Sequence, residues 1–130
     1  MARSKFLDPL FHCLIIDDSS FDQEMMRRVA TKAIANVSIQ AVSSLEGARK
    51  ALMNGPVSLI LLDNSLPDGK GADFAVELAG YPKLAKIPII IASDWPSPFM
   101  WDKANSAGVK CVVTKSDFTL ELLRLALIHT

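Results

Sequence analysis

The chain is 130 residues long, enough for one buried core and too short for two independent ones. Half of its residues are apolar and the mean hydropathy is +0.27, which excludes a disordered chain. Fourteen basic and fourteen acidic residues leave zero net charge, so no nucleic-acid partner is expected: such binders carry surplus Lys and Arg to displace counterions.

In chain order, short β-rich runs alternate with helix-period segments. Cys13 to Ile16, Val57 to Leu62, Pro88 to Ala92 and Cys111 to Val113 are continuous apolar runs, suited to strands buried on both faces of a parallel sheet. Val37 to Ser43 is a weaker strand, alternating Val37, Ile39 and Ala41 with polar residues. Between them, Ser20 to Ala35 sets Phe21, Met25, Val29 and Ala33 at four-residue steps and predicts one helix face. Leu45 to Asn54 repeats the pattern with Leu45, Ala48 and Leu52, preceded by Ser44 as N-cap and followed by Gly55-Pro56. Ala72 to Ala79, Pro98 to Ala107 and Asp117 to His129 complete the helices. The expected fold is α/β: a three-layer sandwich with a parallel sheet and helices on both faces.

The longest purely apolar runs reach about six residues, against roughly 20 for a membrane helix. The apolar stretch Leu10 to Ile16 is broken by His12 and ends at two aspartates, unlike a secretory leader. A soluble, cytoplasmic protein without a membrane partner is expected, and Cys13 and Cys111, set in apolar runs, read as buried thiols.

The acids are unevenly chosen, ten Asp against four Glu. In a parallel sheet every strand delivers its carboxyl end to one edge, where ligands bind. After the first strand come Asp17-Asp18-Ser19-Ser20, after the third Asp63-Asn64-Ser65, after the fourth Ser93-Asp94, and after the fifth Lys115-Ser116-Asp117. Asp17, Asp18 and Asp63 are hard oxygen donors that would repel one another without a cation, and such a set suits Mg²⁺ or Mn²⁺. Asp63 is the candidate nucleophile toward a phosphoryl group, Lys115 a point charge for a phosphoryl oxygen, and Ser93 a hydroxyl donor to another. Each has an ordinary structural use, Asp18 as a helix cap and Asp63 as the start of a turn through Leu66-Pro67-Asp68-Gly69. The conjunction of four strand ends bearing DD, D, S and K is what is specific.

Residues 12 to 129 resemble the receiver domain of two-component response regulators. Asp63-Asn64-Ser65-Leu66-Pro67-Asp68-Gly69 resembles the segment around that family's phosphoacceptor, and Leu-Ile-Ile-Asp17-Asp18-Ser its acidic pair. The resemblance implies a flavodoxin-like, five-stranded sheet in order 2-1-3-4-5 over residues 12–130, with residues 1–11 as an N-terminal extension. It implies Asp63 as phosphoacceptor; Asp17, Asp18, Asp63 and the backbone carbonyl of Ser65 as metal ligands; Ser93 as the switch hydroxyl; and Lys115 as the phosphate-binding lysine. The implied donor is a sensor histidine kinase or a histidine phosphotransfer protein, and the protein is expected not to be an enzyme beyond slow autodephosphorylation. In the implied strand order Cys13 and Cys111 lie three strand spacings apart, about 14 Å against a bridging limit of about 7 Å, so both thiols should be free.

Four positions depart from the family pattern. Ser116 stands where the family has a cis proline, implying either a trans bond with a re-routed loop or a strained cis bond. Val112 stands where an aromatic residue couples to the switch hydroxyl. Asp94 replaces a small residue, which suggests slower phosphoryl exchange. Trp95-Pro96-Ser97-Pro98 should stiffen a loop that often moves on activation. The last helix places Phe118, Leu122, Leu125 and Ala126 on one side and Leu120, Leu123 and Leu127 on the other. Together with Met100 and Trp101, these leucines point to a homodimer or output-partner surface on the fourth helix, fifth strand and fifth helix, unless the last helix wraps the core more fully.

No output domain follows residue 130, which leaves a single-domain regulator and a piece of a longer protein both open. A haloacid-dehalogenase-like enzyme would need Asp-x-Asp after the first strand, and an FMN binder a hydroxyl- and Gly-rich loop. The remaining rival is a pseudo-receiver, an interaction module without phosphoryl turnover.

Overall fold

A computed structural model describes residues 11–128. The N-terminal extension expected over residues 1–11, apart from Phe11, lies outside the described residues, as does His129 at the end of the last helix. The elements are β1 (Phe11–Ile16), α1 (Ser20–Ala33), β2 (Val37–Val42), α2 (Leu45–Met53), β3 (Leu59–Leu62), β4 (Ser65–Leu66), β5 (Gly69–Lys70), α3 (Gly71–Ala79), β6 (Ile89–Ser93), α4 (Pro98–Ser106), β7 (Cys111–Thr114) and α5 (Leu120–Ile128). The parallel sheet runs β2-β1-β3-β6-β7, the expected 2-1-3-4-5 once the antiparallel two-residue pair β4-β5 is set apart.

Alternating strand residues feed two cores. Leu14, Ile16, Ile60, Leu62, Ile89, Ile91 and Val112 pack under α2, α3 and α4, while Cys13, Ile15, Leu59, Leu61, Ile90 and Ala92 pack under α1 and α5. All four β3 residues are fully buried, because β3 is the central strand and has helices on both faces. Both cysteines are free thiols. Among the described residues no helix is long and apolar enough to cross a membrane.

Three sequence expectations change. Phe21 does not share the buried face of α1 but is 79% exposed, whereas Met26 and Ala30 are fully buried. Steps of four residues overshoot a helical turn by about 40°, so a series begun at Phe21 rotates off the core that Ala33 partly joins. Met100 is buried in the core and cannot serve a surface; Trp101, one residue and about 100° further round, is 44% exposed. The last helix begins at Leu120 rather than Asp117, because Phe118 is extended and buried and Thr119 caps the helix by accepting from the Leu122 N–H at 3.2 Å. It wraps the core more fully than two leucine faces suggest: Leu123 is fully buried and Leu122, Ala126 and Leu127 pack against the same core. Leu125 and Ile128 remain exposed.

Met26→Ala should therefore cost about 2–4 kcal/mol in urea denaturation, by deletion of buried methylenes, while Phe21→Ser should change stability by no more than about 0.5 kcal/mol.

Candidate functional site

The order of the sheet reverses at β1, whose neighbours are β2 on one side and β3 on the other. Asp17 and Asp18 leave the end of β1, and Asp63 leaves the end of β3 beside it. Ligand oxygens of the three carboxylates lie within 4.8 Å of one another; Asp17 and Asp63 are buried and Asp18 is exposed. Asp17 Oδ1 accepts from the Ser19 N–H at 2.9 Å, and Asp63 Oδ1 from the Asn64 N–H at 2.9 Å. Asp18 caps nothing; Ser19 is the N-cap of α1, its hydroxyl accepting from the Asp22 N–H.

Lys115 enters this cluster from the end of β7. Its Nζ lies 2.9 Å from Asp17 Oδ2, 3.5 Å from Asp63 Oδ1 and 2.6 Å from Asp22 Oδ2. The Asp17 contact pairs charges without a well-directed hydrogen bond, leaving the buried Asp17 Oδ2 with no hydrogen-bond partner. An anionic oxygen in that state, among two further carboxylates, fits a hard divalent cation.

The electrostatics follow from burial. Burial and the neighbouring Asp17 charge push the Asp63 carboxyl up to about 6, against the opposing pull of Lys115 and the Asn64 N–H. Asp17 is also raised, by burial, despite Lys115 and the Ser19 N–H. For Lys115, burial alone would lower the ammonium pKa, but the hydrogen bond to Asp22, the close contact with Asp17 and the charges of Asp17 and Asp63 outweigh it and hold it above the usual lysine range.

The loop that carries Asp63 is fixed from several sides. Gly71 N–H donates to the Asn64 carbonyl at 2.8 Å, and Asn64 Oδ1 accepts from the Ala72 N–H at 3.0 Å. A Cβ on Gly71 would stand 2.3 Å from the Asp63 carbonyl oxygen, so only glycine lets α3 start this close to the site. Asp68 does more than turn the chain. Its carboxylate accepts from the Leu45 and Glu46 N–H groups, both at 2.9 Å, tying the β4–β5 loop to the start of α2, and these bonds hold its pKa low.

Ser93 is buried at the end of β6, its hydroxyl accepting from the Trp95 N–H at 3.3 Å. Ser65 opens β4, two residues after Asp63. Asp94 and Asp117 are exposed and do not join the acidic trio, so only three of the five strand-end aspartates converge. Among the described residues no peptide bond is cis, which settles the alternatives at Ser116 in favour of a trans bond. The loop there is a single 3₁₀ turn, Lys115–Asp117, capped by Thr114, whose hydroxyl accepts from the Asp117 N–H at 3.2 Å. Lys115 still reaches the site.

Asp22 is the residue that sequence reasoning missed. It is a polar residue outside the strand ends, yet it lies four and eight residues ahead of Met26 and Ala30 and so shares their inward stripe.

The fold and this edge define a doubly wound, flavodoxin-like domain with a cluster of carboxylates and one lysine at its switch point. Residues 13–127 match the response regulator receiver domain, and the chain belongs to that family. It is 30% identical over 118 residues to the two-component response regulator ORR12 of Oryza sativa subsp. japonica, covering 88% of this chain and 93% of that one. A similar likeness, 29% over 114 residues, links 88% of this chain to 14% of the gliding motility regulatory protein of Myxococcus xanthus. The Mn²⁺-bound form of response regulator Rcp1 superposes with a TM-score of 0.75 at 23% identity, and the phosphorylated cyanobacterial phytochrome response regulator RcpA with 0.76 at 20%. Each comparison covers 89% of this chain and 88% of the other.

The raised pKa of Asp63 sets the sign of a pH effect. Near pH 4 the folded and unfolded chains both hold much of the proton; as pH rises through about 6 the folded chain must bear a disfavoured charge, so this residue's contribution to stability falls. In EDTA, Asp63→Asn should stabilise the protein by about 1–2 kcal/mol at pH 7.5, and the gain should shrink towards zero near pH 4. Urea melts across that range measure it.

Proposed function

We propose that this protein is a phosphorelay receiver in which Asp63 accepts a phosphoryl group from a phosphohistidine of a sensor histidine kinase or histidine phosphotransfer protein. The observation that carries the reading is the meeting of Asp17, Asp18, Asp63 and Lys115 at one switch point, from three separate strand ends. An Asp63 carboxylate oxygen forms the new P–O bond while the P–N bond to the donor imidazole breaks, its electron pair leaving with the imidazole. Lys115 holds a phosphoryl oxygen by charge, and the Ser93 hydroxyl donates to another after turning from its present role as acceptor for Trp95. Asp17, Asp18, Asp63 and the Ser65 carbonyl would hold Mg²⁺ or Mn²⁺, whose charge offsets the repulsion between carboxylate and phosphoryl group. The relative crystallised with Mn²⁺ and the relative crystallised in phosphorylated form support both parts of this reading.

The protein is a phosphoacceptor rather than an enzyme turning over a substrate, with slow autodephosphorylation at most. Its output is a changed surface, for which the exposed Trp101, Leu125 and Ile128 on α4 and α5 are the apolar candidates for a homodimer or an output partner.

Incubation with Mg²⁺ and acetyl phosphate should give one phosphoryl adduct by intact mass, absent in Asp63→Asn. No adduct from this donor or from a histidine kinase would instead support an interaction module without phosphoryl turnover. Asp94→Ala, which removes an exposed charge beside Ser93, should raise the rates of both adduct formation and loss by about 2–5-fold; unchanged rates would show that Asp94 does not restrict access.

A further inference from the structure

The shortest contact made by Lys115 is to neither Asp17 nor Asp63 but to Asp22, 2.6 Å away across the groove from α1. Both partners are largely sheltered, with 9% of the Lys115 side chain and 20% of the Asp22 side chain exposed. An ion pair in such a place is far less screened than one on the open surface. Asp22 is fixed in turn: its N–H donates to the Ser19 hydroxyl at the N-cap, and its carboxylate sits in the first turn of α1, where the helix dipole favours negative charge. The ammonium therefore has three carboxylates in reach, and the best placed lies outside the acidic trio.

We propose that Asp22 is a positioning residue for Lys115: it draws the ammonium towards α1, which limits the hold of Lys115 on Asp17 and Asp63, and it competes with a phosphoryl group for the same ammonium. The proposal rests on the phosphoacceptor reading of Asp63 for its second half only. Two consequences have opposite signs. Without the Asp22 charge Lys115 settles onto Asp17 and Asp63 and opposes a divalent cation, so cation affinity falls. The same released ammonium is freer to pair with a phosphoryl group, so the phosphorylated form is favoured.

The test is a cycle of four 130-residue proteins: wild type, Asp22→Asn, Lys115→Gln and the double variant. Calorimetric titration with Mn²⁺ should show Asp22→Asn weakening binding about 3–10-fold in the wild-type background and by less than about 2-fold when Lys115 is already Gln. Intact mass with acetyl phosphate, at Mg²⁺ concentrations that saturate every variant, should show Asp22→Asn lowering the donor concentration for half-phosphorylation about 3–10-fold, again only when Lys115 is present. Asp22→Glu, which restores the charge, should recover most of both effects.

Equal effects of Asp22→Asn in both backgrounds would overturn the proposal, since Asp22 would then act only as a distant charge. So would no effect in either. The Mn²⁺ arm needs no phosphorylation. If wild type forms no adduct, the phosphoacceptor reading fails while the cycle on cation binding still decides whether Asp22 positions Lys115.

Discussion

Everything at the carboxyl edge of the sheet depends on one ammonium facing buried carboxylates. Asp17 and Asp63 are withdrawn from water on adjacent strand ends, an arrangement that costs free energy through desolvation and mutual repulsion. Lys115 offsets part of that cost and is itself kept charged by the same neighbours. The balance is incomplete: Asp63 remains raised despite Lys115, and Asp17 Oδ2 lacks a directed hydrogen bond. A site left in this condition has electrostatic work still available for a cation or for a group that changes the charge on Asp63.

The rest of the fold serves to hold that unstable arrangement in place. Two cores, one on each face, clamp the strands from which Asp17 and Asp63 emerge, so neither carboxylate can retreat to solvent. Around Asp63 the backbone is pinned by Asn64, Gly71 and Ala72, and the following loop is moored to α2 by Asp68. The bidentate Arg49–Glu77 pair then ties α2 to α3, with both bonds at 2.8 Å. The exposed pairing contributes little by itself. Together with the Asp68 bonds it links α2, α3 and the loop that follows Asp63.

The departures from the receiver pattern differ in consequence. Ser116 follows Lys115 through a trans peptide bond in a turn capped by Thr114, and Lys115 reaches the site from that turn. Val112 is buried under the α4 side of the sheet and leaves Ser93 without an aromatic partner there. Asp94 stays in solvent, outside the acidic trio, so its influence on the site is limited to its charge at a distance.

The alternation of apolar strand runs with helix-period segments determined the layered fold, and the residues after each run singled out Asp17, Asp18, Asp63, Ser93 and Lys115 as candidates, of which the three aspartates and the lysine meet at one edge. Those features are local, because a strand buried on both faces must be apolar throughout and its first polar residue marks where the sheet ends. Tertiary structure alone decided which side of a helix faces inward and which distant charges meet. Phe21 turned to solvent, Met100 turned to the core, and Asp22 reached Lys115 from 93 residues away. Helical periodicity sets relative angles among side chains but not the absolute rotation of the helix on the sheet; that is fixed by how its side chains pack against the strands.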